Sequence, residues 1–118
     1  ASCKPWIYCG PTLQHCGFSD CFEAIAGSWH NGVPEEKTAV IREALRLLDV
    51  PAGQAVMIGE RGVDISCASS LGIPGIGLSY CGYGEPGELE QAGAVAVAPT
   101  AEALGRIIEE QAWDHSDK

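Results

Sequence analysis

Residues 56–73, VMIGERGVDISCASSLGI, decide how the chain is read. Val56, Met57 and Ile58 make a short apolar run that stops at Gly59. A continuous apolar run of this kind is a strand buried on both faces. The stretch from Gly62 to Gly72 has the small, mixed residues of a short packed helix, with a glycine at its stop. Two carboxylates, Glu60 and Asp64, stand four residues apart where the strand gives way to that helix. They have two readings. Loop acids cap the helix that follows, and paired carboxylates at a strand end hold a hard cation such as Mg²⁺, directly or through water.

The strand-then-helix unit repeats outward from this point. QAVMIG (54–59), PGIGLSY (74–80) and AVAVA (94–98) are apolar strands, and EPGELEQAG (85–93) is a short helix. TAEALGRIIEEQAW (100–113) is a helix capped by Thr100, with Glu102 in its first turn. Upstream, PEEKTAVIREALRLLDV (34–50) gives the clearest helix. Its Ala39, Val40, Ala44, Leu47 and Leu48 share a face, Glu35 and Glu36 suit its positive end, and Pro51 stops it. The first stretch, ASCKPWIYCGPTLQHCGF (1–18), predicts a helix from Pro5 with Trp6, Ile7, Cys9 and Leu13 on its apolar face. Gly10–Pro11 should kink or split that helix, and Gly17 ends it. CFEAIAGS (21–28) alternates, which predicts a strand at about 22–27, followed by the loop SWHNGVP (28–34).

Alternating helices and uniformly apolar strands specify an α/β fold. The expected form is a Rossmann-like three-layer sandwich around a parallel sheet, with one domain over 1–112 and a mobile tail at 113–118. Ligands bind such sheets beyond the carboxyl ends of the strands, where Glu60 and Asp64 fall.

The totals narrow the functions. With 118 residues and a net charge of −9, the chain lacks the basic surface that nucleic acid or an anionic membrane requires. No apolar run is long enough to span a bilayer, and no signal peptide is visible at the start. Six cysteines are an even number, which fits a disulfide framework. However, no C-x-x-C pair occurs, the histidines have no zinc spacing, and several cysteines stand where small buried residues belong. Reduced cysteines in a cytoplasmic protein are expected.

Two further residues bear on anion binding. Lys37 stands at a helix start, where the dipole mildly disfavours it, so it either projects into water or meets an anion. Ser2, with the backbone N–H groups beside it, holds a phosphate oxygen or caps the helix at Pro5. Gly82, Gly84 and Gly87 match G-x-G-x-x-G, but late in the chain and before a short helix, which is the wrong context for a dinucleotide.

The order of these segments resembles the haloacid dehalogenase superfamily, in particular its phosphoglycolate phosphatase-like members, over residues 1–110. ASCKP is similar to the second motif of the family, EEKTAVI to the third, and GERGVD to the fourth, usually written G-D-x-x-x-D. The resemblance implies a Mg²⁺-dependent phosphomonoesterase acting on a small phosphorylated metabolite of the phosphoglycolate kind, through a phospho-aspartyl intermediate. It implies catalytic roles for Ser2 and Lys37 and a metal-side role for Glu60 and Asp64. Ser2 would donate a hydrogen bond to the phosphoryl group, and Lys37 would pair with it and with the nucleophile. The family's first motif, D-x-D, supplies that nucleophile and is not found in this chain. The chain opens at Ala1, at what the family would place as the second motif. It is therefore expected to be the carboxyl-terminal part of a core that lacks the nucleophile strand and cap domain, and to be inactive alone. Glu60 replaces the usual aspartate and moves the carboxylate by about 1.5 Å. Pro34 replaces a residue that is often polar or basic. A naturally degenerate, inactive binding or interaction module is the competing reading. A receiver-like reading fails for want of an acidic pair on a first strand. A core without its central strand also exposes an apolar sheet edge, which predicts a homodimer through that edge.

Overall fold

The computed structural model describes residues 1–2, 6–27, 37–80 and 84–110, in two compact units, Ala1–Val50 and Pro51–Lys118. The second unit holds the sheet. Its strands are β1 (Met57–Gly59), β2 (Gly75–Leu78) and β3 (Ala96–Ala98), all parallel and ordered β1-β2-β3. Ile58 lies opposite Ile76, and Ile76 opposite Ala96. Helices α3 (Gly62–Ser70), α4 (Glu88–Gln91) and α5 (Ala101–Glu110) follow the three strands in turn. α3 packs on β1 and β2, α4 on β2, β3 and α3, and α5 on β3. This is the parallel α/β architecture expected from apolar strands alternating with helices. β2 is central, so Gly75, Ile76 and Gly77 are all buried. Ile65, Ala68, Ile73, Leu89 and Ala98 are buried with them, Ile65 lying on Gly75 and Leu89 on Gly77. β1 pairs with β2 alone among the described strands, and Ile58 on it is 38% exposed. Among the described residues no helix is long and apolar enough to cross a membrane. The predicted cap on α5 is formed, with the Ala103 N–H donating to Thr100 Oγ1 at 3.0 Å.

The first unit contains α1 (Trp6–His15) and α2 (Lys37–Leu48). α1 runs unbroken through Gly10–Pro11, so the predicted split does not occur. Pro11 removes one helical bond, to the Ile7 carbonyl, and both residues lie on the exposed side of the helix. Cys9 is buried, as its place on the apolar face requires, whereas Ile7 is 48% exposed. The strand expected at 22–27 does not form a ladder with any described residue. That stretch is tied to the start of the chain by the Ser2 N–H donating to the Ala26 carbonyl at 2.9 Å. Alternating side chains make a strand only where a sheet edge is there to receive it. On α2 the buried residues are Val40 and Ile41, whereas Ala39, Leu47 and Leu48 are exposed. The buried face is thus narrower than its periodicity suggested and is turned toward Ile41. The Pro5 helix start, the loop at 28–34, Glu35 and Glu36, Gly82 and the tail at 113–118 lie outside the described residues.

The helix stops follow one pattern. α3 turns off through Gly72, at φ 81°, with the Gly72 N–H on Ser69 O and the Ile73 N–H on Ala68 O. α2 ends in the same pair of bonds, Asp49 N–H to Arg46 O and Val50 N–H to Leu45 O, but its left-handed residue is Asp49, at φ 55°. The helix therefore stops at Asp49, before Pro51 is reached. An aspartate tolerates this conformation at a cost that glycine does not bear. Asp49→Gly is expected to stabilise the protein by on the order of 0.5 kcal/mol, net of the greater freedom of an unfolded glycine. A urea titration would show it as a higher midpoint at unchanged slope.

Candidate active site

The turn from β1 into α3 concentrates the acidic chemistry. Arg61 occupies the position that normally caps a helix, but a guanidinium has no acceptor to offer the exposed N–H groups. Two carboxylates serve the turn instead. Asp64 Oδ2 accepts from the Arg61 N–H at 3.3 Å, and the Asp64 N–H donates back to the Arg61 carbonyl at 3.1 Å. Glu88 reaches across from α4, and its Oε2 accepts from the Gly62 N–H at 2.6 Å and from Arg61 Nε at 3.0 Å. Its Oε1 accepts from the Glu85 N–H at 3.3 Å and Arg61 Nη2 at 3.4 Å. The Arg61 guanidinium first, and then the Gly62 and Glu85 N–H groups, hold the Glu88 carboxyl down to about 2 from its ordinary 4.5. A depressed carboxyl contributes stability above its unfolded value and loses it below. The contact therefore stays intact down to pH about 4.5 and fails only as pH falls toward about 2.

Asp64 is pressed against the end of the strand. A Cβ on Gly59 would meet Asp64 Cβ, and would lie 2.7 Å from Oδ2 and 2.9 Å from Cγ. The carboxylate thus rests over the carboxyl end of β1 in space that only a glycine leaves open. Glu60, half-buried, lines a cleft of about 290 Å³ with Ser79, Glu85, Glu88 and Glu90. Ser79 stands past the end of β2, with its hydroxyl donating to the Ala98 carbonyl at 3.3 Å. A cleft lined by four glutamates draws cations. Among the described residues no three acidic, histidine or cysteine side chains gather into a metal cage. Two hard oxygen donors are nevertheless the set that fits Mg²⁺, which keeps several waters and takes one or two carboxylates plus substrate oxygens.

Ser2 and Lys37 belong to the first unit. Ser2 lines a cavity of about 290 Å³ with Cys9, Thr12, Leu13 and Phe22 among its walls. Lys37 is the first residue of α2 and is half-buried. Of the predicted residues, Glu60 lines the cleft and Asp64 lies against Gly59, both in the second unit, whereas Ser2 and Lys37 are in the first. Sequence reasoning missed Arg61 and Glu88. The signal available was an arginine at a cap position, which obliges an acceptor from elsewhere in the chain.

No family model matches the chain. It is 32% identical over 105 residues to a plasmid-encoded phosphoglycolate phosphatase of Cupriavidus necator, covering 89% of this chain and 45% of that protein. A crystal structure of a predicted phosphatase from Clostridium acetobutylicum superimposes with a TM-score of 0.84 at 34% identity, over 92% of this chain and 50% of that one. A haloacid dehalogenase-like hydrolase from Streptococcus pneumoniae gives a TM-score of 0.76 over 92% of this chain and 50% of its own, at 23% identity, a likeness of fold alone. The chain belongs to the haloacid dehalogenase superfamily. It spans about half the length of the curated relatives it matches. Its parallel sheet is part of the Rossmann-like core of that superfamily, and its length matches the carboxyl-terminal portion of a phosphatase core. Within a haloacid dehalogenase chain, GERGVD is the turn described above, with Glu60 at its head and Asp64 laid over Gly59.

Proposed function

We propose that this chain is the carboxyl-terminal part of a Mg²⁺-dependent phosphomonoesterase that acts on a small phosphorylated metabolite of the phosphoglycolate kind. The observation that carries the reading is the Asp64 carboxylate packed over the carboxyl end of β1, four residues after Glu60. Glu60 and Asp64 would hold the ion, which supplies neutralising charge to phosphoryl oxygens when bound. Lys37 pairs with the phosphoryl group and with an aspartate nucleophile, keeping that carboxylate ionised and aimed. Ser2 donates a hydrogen bond to a phosphoryl oxygen. Asp64 also fixes the Arg61 amide, so its position is set before any ligand arrives. The chain itself has no D-x-D, and the nucleophile is to be sought elsewhere in the natural gene product.

The test is phosphate release from phosphoglycolate by the natural gene product that contains this sequence, with Mg²⁺ and with chelator. Activity is expected to need the metal. Lys37→Met and Asp64→Asn are each expected to lower kcat by about 10²–10³-fold, the scale of losing one charge-stabilising group. Glu60→Asp is expected to keep activity, because it restores the family's shorter acid. A folded product with no activity in wild type or in Glu60→Asp would sink the enzyme reading in favour of a degenerate module.

A further inference from the structure

Glu88 is an acid in an acid-lined cleft, yet its geometry is not that of a cation ligand. Its two oxygens take four donors: Arg61 Nε and Nη2, the Gly62 N–H and the Glu85 N–H. Those bonds join α4 to the start of α3 across more than twenty residues of sequence. Gly62 is two residues from Glu60 and two from Asp64, so fixing its amide fixes the stretch that carries both. The fit is close. A Cβ on Gly62 would come within 2.9 Å of Glu88 Cγ. The pairing also holds the Arg61 guanidinium, next to Glu60 in the chain, on Glu88 of α4.

We propose that Arg61 and Glu88 form a clamp from α4 onto the β1–α3 turn and are the positioning residues that set Glu60 and Asp64 for a divalent cation. The cation half of this statement rests on the phosphatase reading above. The clamp half rests on the hydrogen bonds alone. Outer residues that orient ligands typically govern metal affinity by 10–100-fold.

The experiment is a Mn²⁺ titration, by electron paramagnetic resonance, of the natural gene product that contains this sequence, Mn²⁺ standing in for Mg²⁺, together with NMR hydrogen exchange at the Gly62 amide. Glu88→Ala is expected to weaken Mn²⁺ binding by about 10-fold or more and to deprotect the Gly62 amide. Glu88→Gln keeps an oxygen for that amide and loses the charge on Arg61, so its loss should be smaller. Glu90→Gln removes the same charge from the same cleft but no bond to the turn, so it should weaken Mn²⁺ binding less than Glu88→Ala does and leave the Gly62 amide protected. Mn²⁺ binding by Glu88→Ala equal to wild type would overturn the clamp. So would equal losses in Glu88→Ala and Glu90→Gln, which would mean that cleft charge, not position, is what matters. Failure of the phosphatase reading looks different. Wild type and all variants, Glu60→Gln included, would then take up no Mn²⁺, and Gly62 exchange alone would support the clamp if lost in Glu88→Ala or overturn it if retained.

Discussion

Gly59→Ala is expected to remove divalent-cation binding and to destabilise the protein by about 1–3 kcal/mol, the usual cost of forcing a methyl group into filled space. The new Cβ would meet Asp64 Cβ and would stand 2.7 Å from Oδ2. A flexible tip would swing aside, but Asp64 Cβ is fixed to the first turn of α3, and that turn is fixed by Asp64 itself bonding the Arg61 amide. Relief therefore requires α3 to lift from the end of β1, which carries Asp64 away from Glu60. Gly53→Ala is the control, since a Cβ there meets nothing within 4 Å. Calorimetric titration with Mn²⁺ and urea unfolding of both variants measure the effect. Gly59→Ala binding Mn²⁺ as wild type does would show that the close packing of Asp64 has no part in the site.

Ile65→Ala carries the largest expected stability loss, about 2–5 kcal/mol. Ile65 is fully buried on α3, the helix packed on both β1 and β2, and it lies directly on Gly75 of the central strand, where a Cβ would come within 2.9 Å of its Cδ1. Removing its three outer carbons opens a cavity in a core of few large side chains, which leaves little to collapse into the space. Melting should fall by about 10 °C or more for a domain of this size. Ile65→Val, which removes one methyl group, is expected to cost only about 0.5–1.5 kcal/mol. The two positions separate cleanly. Gly59→Ala spoils the site in molecules that are still folded, whereas the folded fraction of Ile65→Ala should bind Mn²⁺ as wild type does.

The second unit is largely legible in the sequence. Apolar runs at 54–59, 74–80 and 94–98 became three parallel strands, and Gly72 and Thr100 mark a helix stop and a helix cap as read. Each of these is a local decision: a left-handed residue, a side-chain oxygen at a helix start, a run of apolar residues. The first unit was harder to read. The alternation at 22–27 promised a strand that has no ladder among the described residues, and the α2 stripe included Leu47 and Leu48, which are exposed. Periodicity says which residues share a face but not whether anything covers them.

The candidate site divides along the same line. By itself the sequence determined that a strand ends at Gly59, that two carboxylates stand four residues apart beyond it, and that a lysine begins a helix upstream, because spacing along the chain fixes these. It could not show that the acceptor missing from Arg61 at the cap position comes from Glu88 on a different helix. Nor could it show that Asp64 lies where a Cβ on Gly59 would be. Those facts depend on two helices landing side by side on one sheet. That is settled by the packing of Ile65 and Leu89 against β2 and by no property of the turn itself.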